Sequence, residues 1–204
     1  MKNGYNIIKK ENLKAMKWSG GTIKELFIYP EKGEYEKRNF IFVISTATVD
    51  IEESDFTLLD NFDRIILTLD NQLTLTHNGN EEVTLNKYEP HFFYGGDHTK
   101  SRGKANDYNL IMKREECCGE VACLSLAEGS IVYPKISTDP LRKMFEIIFC
   151  LKGKLIFQKD SETASLYPGD IIIIDKNAIG TNYIFSNTDT DMCDIIISTV
   201  KILN

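Results

Sequence analysis

Ile66-Leu67-Thr68-Leu69-Asp70-Asn71-Gln72-Leu73-Thr74-Leu75 and Ile148-Phe149-Cys150-Leu151-Lys152-Gly153-Lys154-Leu155-Ile156-Phe157 lie 82 positions apart and share one plan. Each reads as a β-type run, a tight turn and a second run leading outward. Each is followed by a leucine, a short spacer and a proline: Leu85 with Pro90, Leu166 with Pro168. The second copy continues through Pro168-Gly169-Asp170 into Ile171-Ile172-Ile173-Ile174-Asp175, a turn feeding a buried strand. Two hairpins of any β-protein look alike, but a shared order of elements favours an internal duplication.

Outward from this echo the chain keeps the same texture. Phe40 to Val49 is a run of β-branched and aromatic residues, and Asn78-Gly79 supplies the positive φ that a tight hairpin needs. Helical periodicity is scarce, with one or two turns at most over Glu11 to Lys17. Short strands at near-regular spacing predict an all-β protein. The turn, the Pro-Gly-Asp corner and the repeat together predict double-stranded β-helix (cupin) barrels in tandem, a bicupin. The expected halves are 1–114, holding a pocket, and 115–204, with residues 115 to 143, including Pro134 and Pro140, as the connection.

Composition narrows the function. The 204 residues are 42% apolar and 26% charged, which is globular rather than disordered. A net charge of −6 with scattered Lys and Arg argues against nucleic acid or an anionic membrane as partner. The N-terminal residues lack a signal-peptide core and no apolar run approaches a membrane span, so a cytoplasmic protein is expected. Cys117, Cys118, Cys123, Cys150 and Cys193 then read as reduced thiols, without a second ligand pair at zinc spacing.

A bound metal and other cofactors are not expected. Metal-binding barrels of this type place histidines at i and i+2 with a carboxylate nearby, because alternate strand residues face one interior. Only His77, His91 and His98 occur, none at that spacing. His77 beside Asn78-Gly79 reads as an exposed turn residue, and His91 and His98 as solvated. Phosphate-cradling Gly-rich loops, the Gly-x-Ser-x-Gly elbow and the His-Glu-x-x-His helix are missing from the sequence.

Three segments hold polar residues that a purely structural strand does not need. In Trp18-Ser19-Gly20-Gly21-Thr22 with Glu25, the glycines permit close backbone approach, Trp18 offers a flat wall, and Ser19 or Thr22 a hydroxyl. A plain turn with a core tryptophan explains the same residues. Arg64 enters an apolar strand and either snorkels at the rim or turns inward as a clamp for a carboxylate. Asp107 and Asn109 share one strand face, opposite Tyr108, Leu110 and Met112, and face either solvent or a barrel lumen.

These segments also carry a resemblance. Trp18 to Thr22 with Glu25-Leu26 and Ile28-Tyr29-Pro30, then Ser45 to Val49, Glu52 to Thr57, Asp63 to Ile66, Phe93 to Asp97, Gly103-Lys104 and Asp107 to Lys113 follow in an order similar to the HutD/Ves family, in its firmicute-type branch. The resemblance covers residues 5 to 114, with only the general barrel pattern beyond. It implies a metal-free bicupin with a pocket in the N-terminal barrel and an accessory or regulatory role in histidine catabolism. Carried over by position, the ligand-binding candidates are Trp18, Ser19, Gly20, Gly21, Thr22, Glu25, Ser45, Arg64, Asp97, Asp107 and Asn109. Val43 stands where the family often has arginine, Ile23 where a threonine is usual, and His98 where tryptophan often follows Gly-Asp.

Three functions remain open at this level. The first is binding of a small anionic or zwitterionic metabolite. The second is a metal-free isomerase or lyase using Asp107, Glu25 or His98 as general base beside Arg64, which requires a buried carboxylate of raised pKa near the guanidinium. The third is a regulatory protein that presents only a surface, with both barrels filled. The second half, rich in apolar residues from Phe145 to Phe157, reads as packed shut or buried against a partner, and a homodimer stays open.

Overall fold

The computed structural model describes residues 4–134, 142–179 and 182–203. Pro140, read above as part of the connection, lies outside them. The described chain is almost entirely strand, and its two compact units comprise residues 13–118 and residues 1–12 with 119–204. The first twelve residues, assigned above to the N-terminal half, thus join the second unit. Tyr5–Ile8 pairs antiparallel with Ile171 to Ile174 there. In place of the helical turns expected after Glu11, there is a single 3-10 turn, Lys10–Asn12, and then the strand Ala15–Trp18.

The unit of residues 13–118 holds two sheets. The larger runs, in spatial order, Ala15–Trp18, Gly21–Tyr29, Phe42–Val49, Ala105–Lys113, Phe62–Thr68 and His91–Tyr94. The smaller runs Glu53–Asp55, Thr99–Arg102, Leu73–His77 and Glu81–Leu85. One apolar cluster joins them: Ile66, Phe93 and Ala105 from the larger sheet meet Leu73, Leu75 and Leu85 from the smaller. Each such leucine or isoleucine, fully withdrawn from water, contributes about 1.5–3 kcal/mol. The Asn78-Gly79 hairpin forms as expected, with φ of 51° and 76° at its two turn residues.

The second unit repeats this plan. Its larger sheet runs Tyr5–Ile8, Ile171–Asp175, Met144–Lys152, Cys193–Ile202 and Cys117–Leu126, and its smaller sheet Ile131–Val132, Tyr183–Ser186, Leu155–Lys159 and Glu162–Leu166. The echo in the sequence corresponds to the same element in both units. Its first run lies in the larger sheet and its second in the smaller, so the turn between them changes sheets instead of closing a hairpin. Gly153 makes that change in the second unit at φ 75°, where a Cβ would meet the Met192 carbonyl oxygen at 2.7 Å. Hydrocarbon fills the space between these sheets, including Ile148, Leu155, Phe157, Ile172, Phe185 and Ile195. Among the described residues no helix is long and apolar enough to cross a membrane.

Candidate functional site

Strand alternation builds one polar wall inside the first unit. Antiparallel register sets Asp107 beside Ala47 and Thr68, Asn109 beside Ser45 and Ile66, and Ile111 beside Val43 and Arg64. All of these side chains share one face of the larger sheet. Arg64, Asp107, Asn109 and Ser45 are buried on it, so the choice between solvent and interior left open by periodicity falls to the interior. A cavity of about 150 Å³ opens against this wall. Arg64, Asp107, Asn109, Ser45 and Trp18 line it, joined by Tyr35, Asp55, Phe56 and Thr57 from segments outside the larger sheet. Such a space holds several waters or a small organic molecule.

Asn109 organises the charges. Its side-chain oxygen accepts from Arg64 Nε at 3.3 Å and Nη2 at 3.2 Å, and its nitrogen makes a long 3.5 Å contact to Asp107 Oδ1. The amide orientation follows from its neighbours, since a guanidinium only donates and a carboxylate accepts. Arg64 also packs on two aromatic faces, 4.9 Å from the Phe56 centroid and 5.1 Å from that of Phe93. The remaining N–H donors on Nη1 and Nη2 stay available to another acceptor. Among the described residues no carboxylate forms an ion pair with Arg64.

Burial sets the protonation of both groups. Desolvation pulls the Arg64 guanidinium below its ordinary pKa, opposed by nearby Tyr35 and Asp107. Desolvation likewise raises Asp107 to about 7, with Arg64 and Asn109 pulling the other way. A carboxyl on the cavity wall therefore titrates near neutrality beside a cation that no carboxylate pairs among the described residues.

The second unit treats its equivalent position differently. Arg64 lies two residues before the start of the first echo, and Glu146 two before the second. Glu146 is 4% exposed and already answered: Lys176 Nζ lies 3.2 Å from its Oε2, and the Tyr183 hydroxyl donates to the same oxygen. Its charge is neutralised within the chain, whereas Arg64 has no such counter-charge among the described residues.

The remaining candidates are placed as follows. Trp18 lines the cavity, and its indole N–H, although buried, has no acceptor among the described residues. The glycines after it have steric reasons. A Cβ at Gly20 would sit 2.1 Å from the Trp18 ring, and one at Gly21 2.2 Å from the Thr48 carbonyl oxygen. The Thr22 backbone N–H donates to Thr48 Oγ1. Ser19, Gly20, Gly21, Thr22 and Glu25 do not border the cavity; Glu25, half-buried, has its pKa raised by desolvation. Asp97 is also outside the lining, and accepts from the Asn78 side chain at 2.9 Å.

His77 requires correction. It is 3% exposed rather than a solvated turn residue, and His91 is half-buried beside it. The alternation Leu73, Leu75, His77 carried the signal, since all three occupy one inward face. The Asp97 carbonyl can only accept, so Thr99 Oγ1 donates to it at 3.2 Å and itself accepts from His77 Nδ1 at 2.9 Å. His77 Nε2 then carries the lone pair, and His91 Nε2–H donates to it across 3.0 Å. Ring centroids 5.2 Å apart and planes 25° apart make this an edge-to-edge contact. Phe93 separates the pair from Arg64, its ring centroid 4.9 Å from that of His77.

Desolvation depresses both imidazoles, aided at His77 by the charge of Arg64, while Glu81, Asp97 and Glu89 oppose it. The unfolded chain therefore binds protons first as pH falls, and the stability these two groups contribute is lost from about pH 6.5 downward. Denaturant unfolding of His77→Gln and of the unaltered protein at pH 7.5 and 5.5 should show the difference between them moving in favour of the variant at the lower pH. Parallel profiles for the two proteins would mean that the dyad does not titrate in this range.

Among the described residues no three His, Cys, Asp or Glu side chains converge on a point that a metal would occupy. Tyr35 carries no sequence signal, and Asp55 and Phe56, although inside the Glu52 to Thr57 stretch of the resemblance, are not among the candidates carried over, because each reaches the cavity from a short connection or edge strand without a periodic pattern.

Two sandwiched antiparallel units, each with the same sheet change, define a cupin-like all-β protein. Solved structures agree. An oxalate decarboxylase from Bacillus subtilis superposes with a TM-score of 0.68 at 7% identity, over 94% of this chain and 76% of that one. A conserved protein of unknown function from Pseudomonas aeruginosa PAO1 gives 0.79 at 16% identity, covering 96% and 98%. HutD from Pseudomonas fluorescens SBW25 gives 0.71 at 19% identity, covering 95% and 97%. The HutD sequence profile matches residues 10–190, and the chain belongs to the HutD family. No curated protein matches it significantly.

Proposed function

We propose that this chain is a cytoplasmic tandem cupin that binds a small anionic or zwitterionic metabolite in the cavity of residues 13–118, without a metal. The observation that carries this reading is the buried Arg64 guanidinium, answered by an amide oxygen rather than by a carboxylate. An isolated buried charge is costly, and a bound carboxylate is the partner whose planar geometry matches the fork. Trp18 adds a flat apolar surface to the same cavity. Membership of the HutD family supports an accessory or regulatory place in histidine utilisation. The net charge of −6 supports neither nucleic acid nor membrane as partner.

A second reading has its own observation. Asp107, titrating near neutrality beside Arg64, has the properties of a general base for a metal-free isomerase or lyase. One screen separates the two. Histidine-pathway intermediates and simple mono- and dicarboxylates are tested for thermal stabilisation, and each compound that binds is incubated with the protein in D2O. Binding predicts a raised melting temperature with the ligand recovered unchanged. Deuterium entering a C–H bond of the ligand would establish the enzyme, and no shift with any compound would remove the binding reading.

A further inference from the structure

We infer that the occupant of this cavity is a zwitterion, its carboxylate held by Arg64 and its ammonium group by Asp107. The inference rests on the anion-binding reading above. The charges on the wall do not suit a bare anion. Two carboxyl groups, Asp55 and Asp107, border the cavity against one guanidinium. Asp55 has partial relief from Lys100 at 4.0 Å on the exposed side, whereas Asp107 is 3% exposed. Asn109 supplies the single side-chain hydrogen bond to Asp107 among the described residues. An anion placed on Arg64 would set a second negative charge near Asp107 in a weakly screening interior. A ligand with a carboxylate and an ammonium answers both residues at once.

Asn109 fixes the spacing. By accepting from Arg64 and contacting Asp107, it stands between the two and prevents the direct ion pair that would neutralise the site without a ligand. Trp18, Tyr35 and Phe56 add aromatic surface along the cavity, suited to the apolar body of such a molecule. The groups that act on Asp107 electrostatically are Arg64 and Asp70, with Glu25 on the same sheet and Tyr35 and Asp55 on the segments that complete the cavity. Of the other charges on these strands, Lys24 and Asp63 stand on the opposite face and Lys113 pairs with Glu116, so Arg64 is the cation that faces Asp107 among the described residues.

The sign of proton exchange reports which ligand the site accepts. Asp107 is partly protonated at neutral pH, because burial raises it to about 7. An ammonium beside it drives the proton off, whereas a carboxylate alone draws one on. The test uses amino acids with their deaminated counterparts: L-alanine with propionate, L-valine with 3-methylbutanoate, L-glutamate with glutarate. Calorimetry at pH 7 in phosphate and in Tris should show, for at least one pair, the amino acid binding about tenfold or more tightly with proton release. Asp107→Asn should erase that preference while leaving carboxylate binding in place. Carboxylates that bind as well as the amino acids, with proton uptake, would overturn the zwitterion and leave the anion reading standing. Binding of neither kind would overturn both.

Discussion

Arg64→Met is expected to weaken binding of any carboxylate ligand by about 100-fold while leaving the ligand-free protein as stable as before, or more so. Truncating one member of a buried, hydrogen-bonded charge pair costs about 2–5 kcal/mol of binding, and each 1.4 kcal/mol is about tenfold. Most salt-bridging arginines would also lose stability on truncation, because a partner carboxylate would be left unpaired. Among the described residues Arg64 has no such partner, only the Asn109 oxygen and the faces of Phe56 and Phe93. Methionine removes the desolvated guanidinium that lies over both rings and offers them a polarisable thioether instead. Calorimetric titration and denaturant unfolding of the same two proteins read both effects. A variant that loses about 2 kcal/mol or more of stability would make Arg64 a structural residue.

Asp107→Asn is expected to stabilise the ligand-free protein increasingly as pH rises. The folded-state pKa of Asp107 is raised to about 7 from an ordinary value of 3.8, so the native state holds a proton that the unfolded chain has released. Stability from this group is fully present below about pH 4 and is lost as pH rises through 7. Linkage puts the change between pH 5 and pH 8 at about 2–3 kcal/mol in favour of the variant. Unfolding free energies of both proteins at those two pH values measure it. Equal differences at pH 5 and pH 8 would mean that Asp107 ionises as an ordinary solvated carboxyl.

Much of the fold was legible because its signals are local. Alternation placed Asp107 and Asn109 on one face, Asn78-Gly79 set a hairpin, and the echo at 66 and 148 marked the repeated element. The sheet-changing turn inside that echo was not legible as such, since a run, a turn and a run do not say which sheet the second run joins. Nor was the pairing of Tyr5–Ile8 with a strand more than 160 residues later, for which no short-range pattern exists. At the site, Arg64 stood out as a charge in an apolar strand, but Tyr35, Asp55 and Phe56 reach the same cavity through long-range packing alone. His77 was missed for a different reason: its turn neighbours outweighed the alternation that put it inside.

The same echo explains why one unit is the candidate for binding. At its matching position the second unit carries Glu146, closed off by Lys176 and Tyr183 among hydrocarbon. The first unit instead leaves its charge beside a cavity, with Asn109 holding it apart from Asp107.

A crystal structure of the protein grown with the tightest-binding carboxylate from the thermal screen tests this most directly. The expected result is planar density facing Nη1 and Nη2 of Arg64 within about 3 Å, with the bonds to Asn109 intact. An unliganded cavity in which Arg64 has swung onto Asp107, or out into solvent, would contradict it.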